Sequence, residues 1–142
     1  GGVEAATVGD VQQAGVFGGV YYTDPTTSKP TWKAYYPAST AAADIVATIY
    51  MDPDIVFEAQ HDETGTAALN FASGNFVGVG GSTTTGQSTQ ELDTSSFGTT
   101  ASGLKQIGVS KDPDNSDTST ANCNAYVVFG TGENVFTFAT GI

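Results

Sequence analysis

The chain has 142 residues, of which fifteen are acidic and four are basic, so its formal net charge is −11. All four basic residues are lysines, and because nucleic-acid recognition depends on clustered cations that replace phosphate counterions, we expect no contact with DNA or RNA. The negative charge also opposes binding to anionic lipids, and no apolar run approaches the roughly 18 to 20 residues that span a bilayer, so we expect a soluble protein without membrane contact.

The first half of the chain predicts β-strands, because β-branched and aromatic residues recur with a period of two and long helical patterns are missing. Segment 15–22 and the alternating segment 31–36 predict a β-hairpin around an exposed loop from Pro25 to Pro30. Segments 45–50 and 55–60 predict two further strands around Asp52-Pro53-Asp54, since proline disfavours helix for the residue before it.

The second half predicts one short helix and three more strands. Segment 64–73 predicts a helix of two turns ended by Gly74. Residues 78–100 are mostly Gly, Ser, Thr and Gln, a composition typical of a flexible arm or of a long loop fixed by a neighbour. Strands are predicted at 104–110, 124–129 and 135–138. Seven or eight short strands in one domain over 1–142 indicate an all-β barrel or sandwich with at most one short helix.

Groupings that support catalysis or metal binding are missing from the sequence. His61 is the only histidine and lies in a polar segment that predicts a solvated turn, and no HExxH or Cys-x-x-Cys motif accompanies it. Asp112 to Asp117 alternates oxygen ligands as a calcium loop does but lacks the turning glycine, so a capped turn is favoured over a weak calcium site. Glycoside hydrolysis needs two carboxylates at a defined separation. With fifteen acidic residues in a small domain, pairs of acidic residues are common by chance and do not indicate this activity. We therefore expect no enzyme activity, cofactor or metal.

Two further expectations concern the single cysteine and the start of the chain. Cys123 cannot form an intramolecular disulfide, which is consistent with synthesis in a reducing compartment, and it predicts a small buried residue before the strand at 124–129. Because the chain begins at Gly1 rather than Met and shows no signal-peptide pattern, we expect processing or a further segment upstream.

Aromatic residues gather in the predicted hairpin. On alternating strands about half of these rings point outward, and exposed amphipathic rings favour a protein or sugar partner. The alternative is that they form core with scattered exposure. The residues concerned are Tyr21, Tyr22, Trp32, Tyr35 and Tyr36.

Several segments, in order, resemble a family of small tailed-bacteriophage proteins described as head decoration or capsid cement proteins. The resemblance implies a β-rich virion protein, made in the bacterial cytoplasm, that binds the outside of the shell of major capsid protein beside further copies of itself, as a dimer or trimer. Members of that family begin with a further segment upstream of the position matching Gly1, and they often end in basic and polar residues where this chain has Val135 to Ile142. The matching segments are 15–17 with 22–24, 35–40, 52–60, 81–86 with 91–93, and 112–115.

The family has no motif for its capsid-contacting surface, so we predict contacts from the aromatic hairpin and the arm from Gly80 to Asp93. An alternative function is a carbohydrate-binding or host-adhesion β-domain that uses the same hairpin. The predicted contact residues are Tyr22, Trp32, Tyr35, Gly81, Thr84, Gly86 and Asp93.

Overall fold

The computed structural model describes residues 14–78, 81–82, 85–100 and 103–130. In these ranges the protein is all-β, with nine strands, two single 3-10 turns and no α-helix. The predicted strand at 135–138 lies outside the described residues. The strands are β1 (Val16–Thr23), β2 (Pro30–Lys33), β3 (Val46–Tyr50), β4 (Phe57–Gln60), β5 (Ser73–Gly74), β6 (Phe76–Val77), β7 (Glu91–Leu92), β8 (Leu104–Val109) and β9 (Asn124–Phe129).

The strands form three antiparallel sheets. The first has the order β2-β1-β3, the second has the order β4-β9-β8-β5, and β6 pairs with β7 in a short ribbon. Strands β1 and β2 confirm the predicted hairpin, although β2 ends at Lys33 and the predicted continuation over 34–36 is not a strand. The predicted strands at 45–50 and 55–60 are also present, but β3 and β4 belong to different sheets, so the chain crosses from one sheet to the other at Asp52-Pro53-Asp54.

The three Asp-Pro sequences form the same local turn. In each, the aspartate carboxylate accepts a hydrogen bond from the backbone N–H two residues later, at Thr26, Asp54 and Asp114. Because the aspartate bonds to the backbone and the proline has a fixed φ, the turn is favoured by local sequence. The capped turn predicted at Asp112 is thereby confirmed.

The hydrophobic core lies on the second sheet and confirms the period of two. Side chains alternate between buried and half-buried positions along β9 and over the first four residues of β8, up to the pairing irregularity between Gln106 and Gly108. Leu92 of β7 is completely buried in this cluster, although it comes from the Gly/Ser/Thr-rich segment, and burial of such a side chain stabilises the fold by about 1.5–3 kcal/mol. The buried cluster consists of Leu92, Leu104, Ala125, Val127 and Phe129.

The helix predicted at 64–73 is a single 3-10 turn over Ala67–Leu69. Thr66 precedes the turn but its side chain makes no capping hydrogen bond, and Phe71 adopts a positive φ of 70°. Ser73 then enters β5, which pairs with β8. Strand pairing outweighs the weak helical preference of this alanine-rich segment.

Candidate functional site

One face of the first sheet exposes a row of large apolar side chains. Tyr21 of β1 lies opposite Trp32 of β2 on one side and opposite Val46 of β3 on the other. Directly opposed residues point to the same face of a sheet, so these three side chains form a row across all three strands. Val16 and Tyr50 are opposed in the same way farther along. We call Val16, Tyr21, Trp32, Val46 and Tyr50 the aromatic face.

Every member of the aromatic face is substantially exposed. The exposed fraction is 57% for Tyr21, 50% for Trp32 and 62% for Val46. Val16 and Tyr50 are 39% and 52% exposed. None of the five side chains is charged. A contiguous apolar patch of this kind on a polar, acidic protein is typical of a binding surface.

Two glycines of β1 let the rings lie against the strand. A Cβ atom on Gly19, whose φ is +132°, would lie 2.8 Å from the Trp32 indole, and one on Gly18 would lie 2.6 Å from the Tyr50 ring. Any larger residue would push these rings away from the sheet. The Tyr21 and Trp32 ring centroids are 6.4 Å apart, with their planes inclined by 56°.

The opposite face of the same sheet is buried around Val20 and Tyr22, although Phe17 at the other end of β1 is 41% exposed. Val20 and Tyr22 are 1% and 5% exposed. Lys33 pairs with Val20 and therefore belongs to this opposite face. Tyr22, a predicted contact residue, is thus enclosed and unavailable to a partner, because its neighbour Tyr21 occupies the outward position of the strand.

A carboxylate is fixed at the margin of the aromatic face. The exposed Asp44 side chain accepts hydrogen bonds from the Thr23 backbone N–H at 3.0 and 3.2 Å and from the Thr23 hydroxyl at 2.6 Å. The Thr23 hydroxyl and amide lower the pKa of the Asp44 carboxyl, so it is ionised at neutral pH. Thr23 lies two residues after Tyr21 on β1, on the same face.

The other predicted contact residues are divided between several places. Tyr35 lies against Gly86, where a Cβ would be 2.1 Å from its ring, and Lys33 lies 5.7 Å from the ring centroid. The structure therefore brings Tyr35 and Gly86 together but separates them from the aromatic face. Gly81 is exposed and forms an isolated β-bridge with Ser88. Asp93 precedes a 3-10 turn and accepts a hydrogen bond from the Ser95 backbone N–H. Thr84 lies outside the described residues.

Among the predicted contacts only Trp32 lies on the aromatic face, and sequence reasoning left out Val16, Val46 and Tyr50. A signal for Val46 and Tyr50 was present. Segment 46–50 contains no charged residue. Because successive side chains of a strand point to opposite faces, Val46, Thr48 and Tyr50 share one face of β3.

His61 is fully buried, so the predicted solvated turn is wrong. Its Nδ1 is 3.0 Å from the Thr94 hydroxyl and its Nε2 is 3.0 Å from Gln106 Oε1. Gln106 Nε2 donates to the Thr66 carbonyl and to Asn70 Oδ1, which fixes the amide with its oxygen toward the imidazole. The hydrogen of neutral His61 is therefore on Nε2, and Nδ1 accepts from Thr94.

Burial lowers the pKa of His61, although the hydrogen bond to Gln106 and the charge of Asp62 oppose that shift. Both ring nitrogens have protein partners, and Phe97 packs 5.4 Å from the ring centroid. Through these contacts the buried His61 side chain links β8, which contains Gln106, to the segment that contains Thr94 and Phe97. Cys123, as predicted, is buried, and its Sγ donates to the Gly65 carbonyl.

Within the described ranges, no group of three or more His, Cys, Asp or Glu side chains is arranged to hold a metal ion. No helix in the described part of the chain is long and apolar enough to cross a membrane. Comparison with known proteins gave no matching family model, no significantly similar curated protein and no significantly similar solved structure.

Proposed function

We propose that this chain is a non-enzymatic virion protein that attaches through its aromatic face to the outside of a tailed-phage capsid, on the shell of major capsid protein. The observation that carries the proposal is the uncharged row of Trp32, Tyr21 and Val46 across an otherwise acidic molecule. Tryptophan and tyrosine are the residues most often found at the energetic centre of protein interfaces. The ordered resemblance of five segments to decoration proteins supplies the identity of the partner.

The remaining surface is suited to a protein present in many copies on a shell. A net charge of −11 keeps neighbouring particles apart in solution. Binding at many equivalent positions, beside further copies of the same chain, allows each contact to be modest because the copies act together. The proposal assigns no catalytic role. In support, both ring nitrogens of His61 are bonded to protein groups, and the aspartates of the Asp-Pro turns bond to their own backbone.

The proposal is tested first on purified particles and then with variants. Mass spectrometry of the particles should detect the chain at a fixed ratio to the major capsid protein. Particles lacking it should regain it from solution, and Trp32→Ser should abolish that binding. Phe71→Ser is the matched control, since Phe71 is 73% exposed but is not on the aromatic face. Absence from particles, or equal binding by both variants, would refute the proposal.

A carbohydrate-binding or adhesion role is the second candidate, and one observation favours it. The Trp32 ring lies against Gly19 beside Tyr21, which makes a ring platform on which a sugar can stack. Binding on a glycan array that Trp32→Ala abolishes would support this role. A glycan that binds the chain without displacing it from capsids would indicate separate surfaces for the two ligands.

A further inference from the structure

The aromatic face and the carboxylate at its margin together indicate the chemistry of the partner. We infer that the capsid partner presents a basic side chain, arginine or lysine, which lies over the Tyr21 ring and forms an ion pair with Asp44. This inference rests on the proposed function and specifies what the aromatic face recognises.

The geometry places the Tyr21 ring and the residue that holds the Asp44 carboxylate on the same face of the sheet. Thr23, which holds Asp44, follows Tyr21 by two positions on β1, a distance of roughly 7 Å along a strand. Tyr21 and Trp32 are neighbours across β1 and β2, with ring centroids 6.4 Å apart. Cations are attracted to the faces of tyrosine and tryptophan rings, and arginine can stack on a ring while its guanidinium bonds to a carboxylate.

Asp44 has a fixed position and, among the described residues, no basic group that shifts its pKa. The donors that contact its oxygens belong to Thr23, and within the described ranges no lysine lowers its pKa by charge. Two carboxylate oxygens can accept about four hydrogen bonds, so capacity remains for a guanidinium or ammonium group. Its charge is therefore available to a partner at the edge of an apolar surface, where desolvation on binding strengthens an ion pair.

A second copy of this chain is a poor occupant of the same surface. The chain contains no arginine, and each copy carries a net charge of −11 with Asp44 beside its aromatic face. Two faces brought together would place like charges near one another, which disfavours association. An apolar patch flanked by basic residues on another protein complements both the rings and the carboxylate.

The test uses Asp44→Asn, which removes the charge but retains an oxygen that can accept from Thr23. Its matched control is Asp117→Asn, because the exposed Asp117 also accepts hydrogen bonds from a neighbouring amide and hydroxyl, those of Ser119, but lies between β8 and β9. We expect Asp44→Asn to weaken capsid binding about tenfold at low salt, as for a lost charge-assisted hydrogen bond. The difference should shrink at high salt, while Asp117→Asn binds as wild type.

A titration without capsids separates this inference from the proposed function. The isolated chain is titrated with N-acetyl-arginine amide while the Trp32 indole N–H is followed by NMR. We expect a saturable shift in wild type and in Asp117→Asn, a much smaller shift in Asp44→Asn, and none with N-acetyl-norleucine amide. Equal shifts in all three proteins, or none in wild type, would overturn the inference even if capsid binding is observed. Failure of capsid binding with the expected titration would instead overturn the proposed function.

Discussion

Lowering the pH from 6.5 to 5.5 is expected to destabilise this protein because His61 is buried as a neutral ring. His61 is the only histidine, and burial lowers its pKa below the ordinary value of 6.5. In the folded state Nε2 donates to Gln106 and Nδ1 accepts from the Thr94 hydroxyl, so the ring is held in its neutral form. In the unfolded chain the same ring takes up a proton near pH 6.5.

The sign and size follow from this difference in proton binding. The stabilising contribution is fully present above pH 6.5 and is lost as the pH falls from 6.5 toward the lower pKa of folded His61. Between pH 6.5 and 5.5 the free energy of unfolding should fall by up to about 1 kcal/mol, because one unit of pH corresponds to about 1.4 kcal/mol per proton.

Urea unfolding at pH 7.5, 6.5 and 5.5 measures the effect. The unfolding midpoint of wild type should be similar at the two higher values and lower at pH 5.5, whereas His61→Gln should show no decrease between 6.5 and 5.5. The His61 Hε1 resonance of folded wild type gives the pKa directly and does not depend on the variant folding. A wild-type midpoint that is unchanged at pH 5.5, or a resonance that titrates at or above pH 6.5, would refute the reasoning.

Three further predictions concern the buried cluster and its surroundings. Leu92→Ala should lower the free energy of unfolding by about 2–5 kcal/mol in urea unfolding, because Leu92 is fully buried. Gly65→Ala should cost about 1–3 kcal/mol, since its Cβ would lie 2.2 Å from the His61 ring, whereas Gly98→Ala, with no atom within 4 Å, should change stability by less than about 0.5 kcal/mol. A thiol reagent should label Cys123 slowly in the folded protein and rapidly in denaturant, since the thiol is 2% exposed; rapid labelling of the folded protein would contradict its burial.

Local features of the fold could be predicted from the sequence. The β1–β2 hairpin and the capped turn at Asp112 depend on residues close together in the chain, and both predictions are confirmed. Turn chemistry and strand period act over a few residues, so one sequence contains enough information to identify them. The same reasoning located the strands at 104–109 and 124–129.

Features that depend on distant partners could not be predicted. Tyr21 and Tyr22 are the same residue type in one strand, and the sequence does not show which of them faces outward, because that depends on what covers each side of the sheet. His61 lies in a polar segment, yet it bridges to Leu92 and bonds to Gln106, which lie 31 and 45 residues later in the chain. The polar neighbours of His61 predicted an exposed side chain, but contacts with residues distant in the chain bury it.

The proposed function assigns binding to the exposed face of the first sheet, whereas the buried cluster lies on the second sheet, and Tyr21→Ser tests that division. Tyr21 is 57% exposed, so its loss should cost only the cross-strand contact with Trp32, about 0.2–1 kcal/mol in urea unfolding, while capsid binding falls much more. Val127→Ala, in the buried cluster of the second sheet, should cost about 1–3 kcal/mol but leave binding by the folded fraction unchanged. The division would be wrong if Tyr21→Ser unfolds the protein, or if Val127→Ala weakens capsid binding under conditions in which that variant is fully folded.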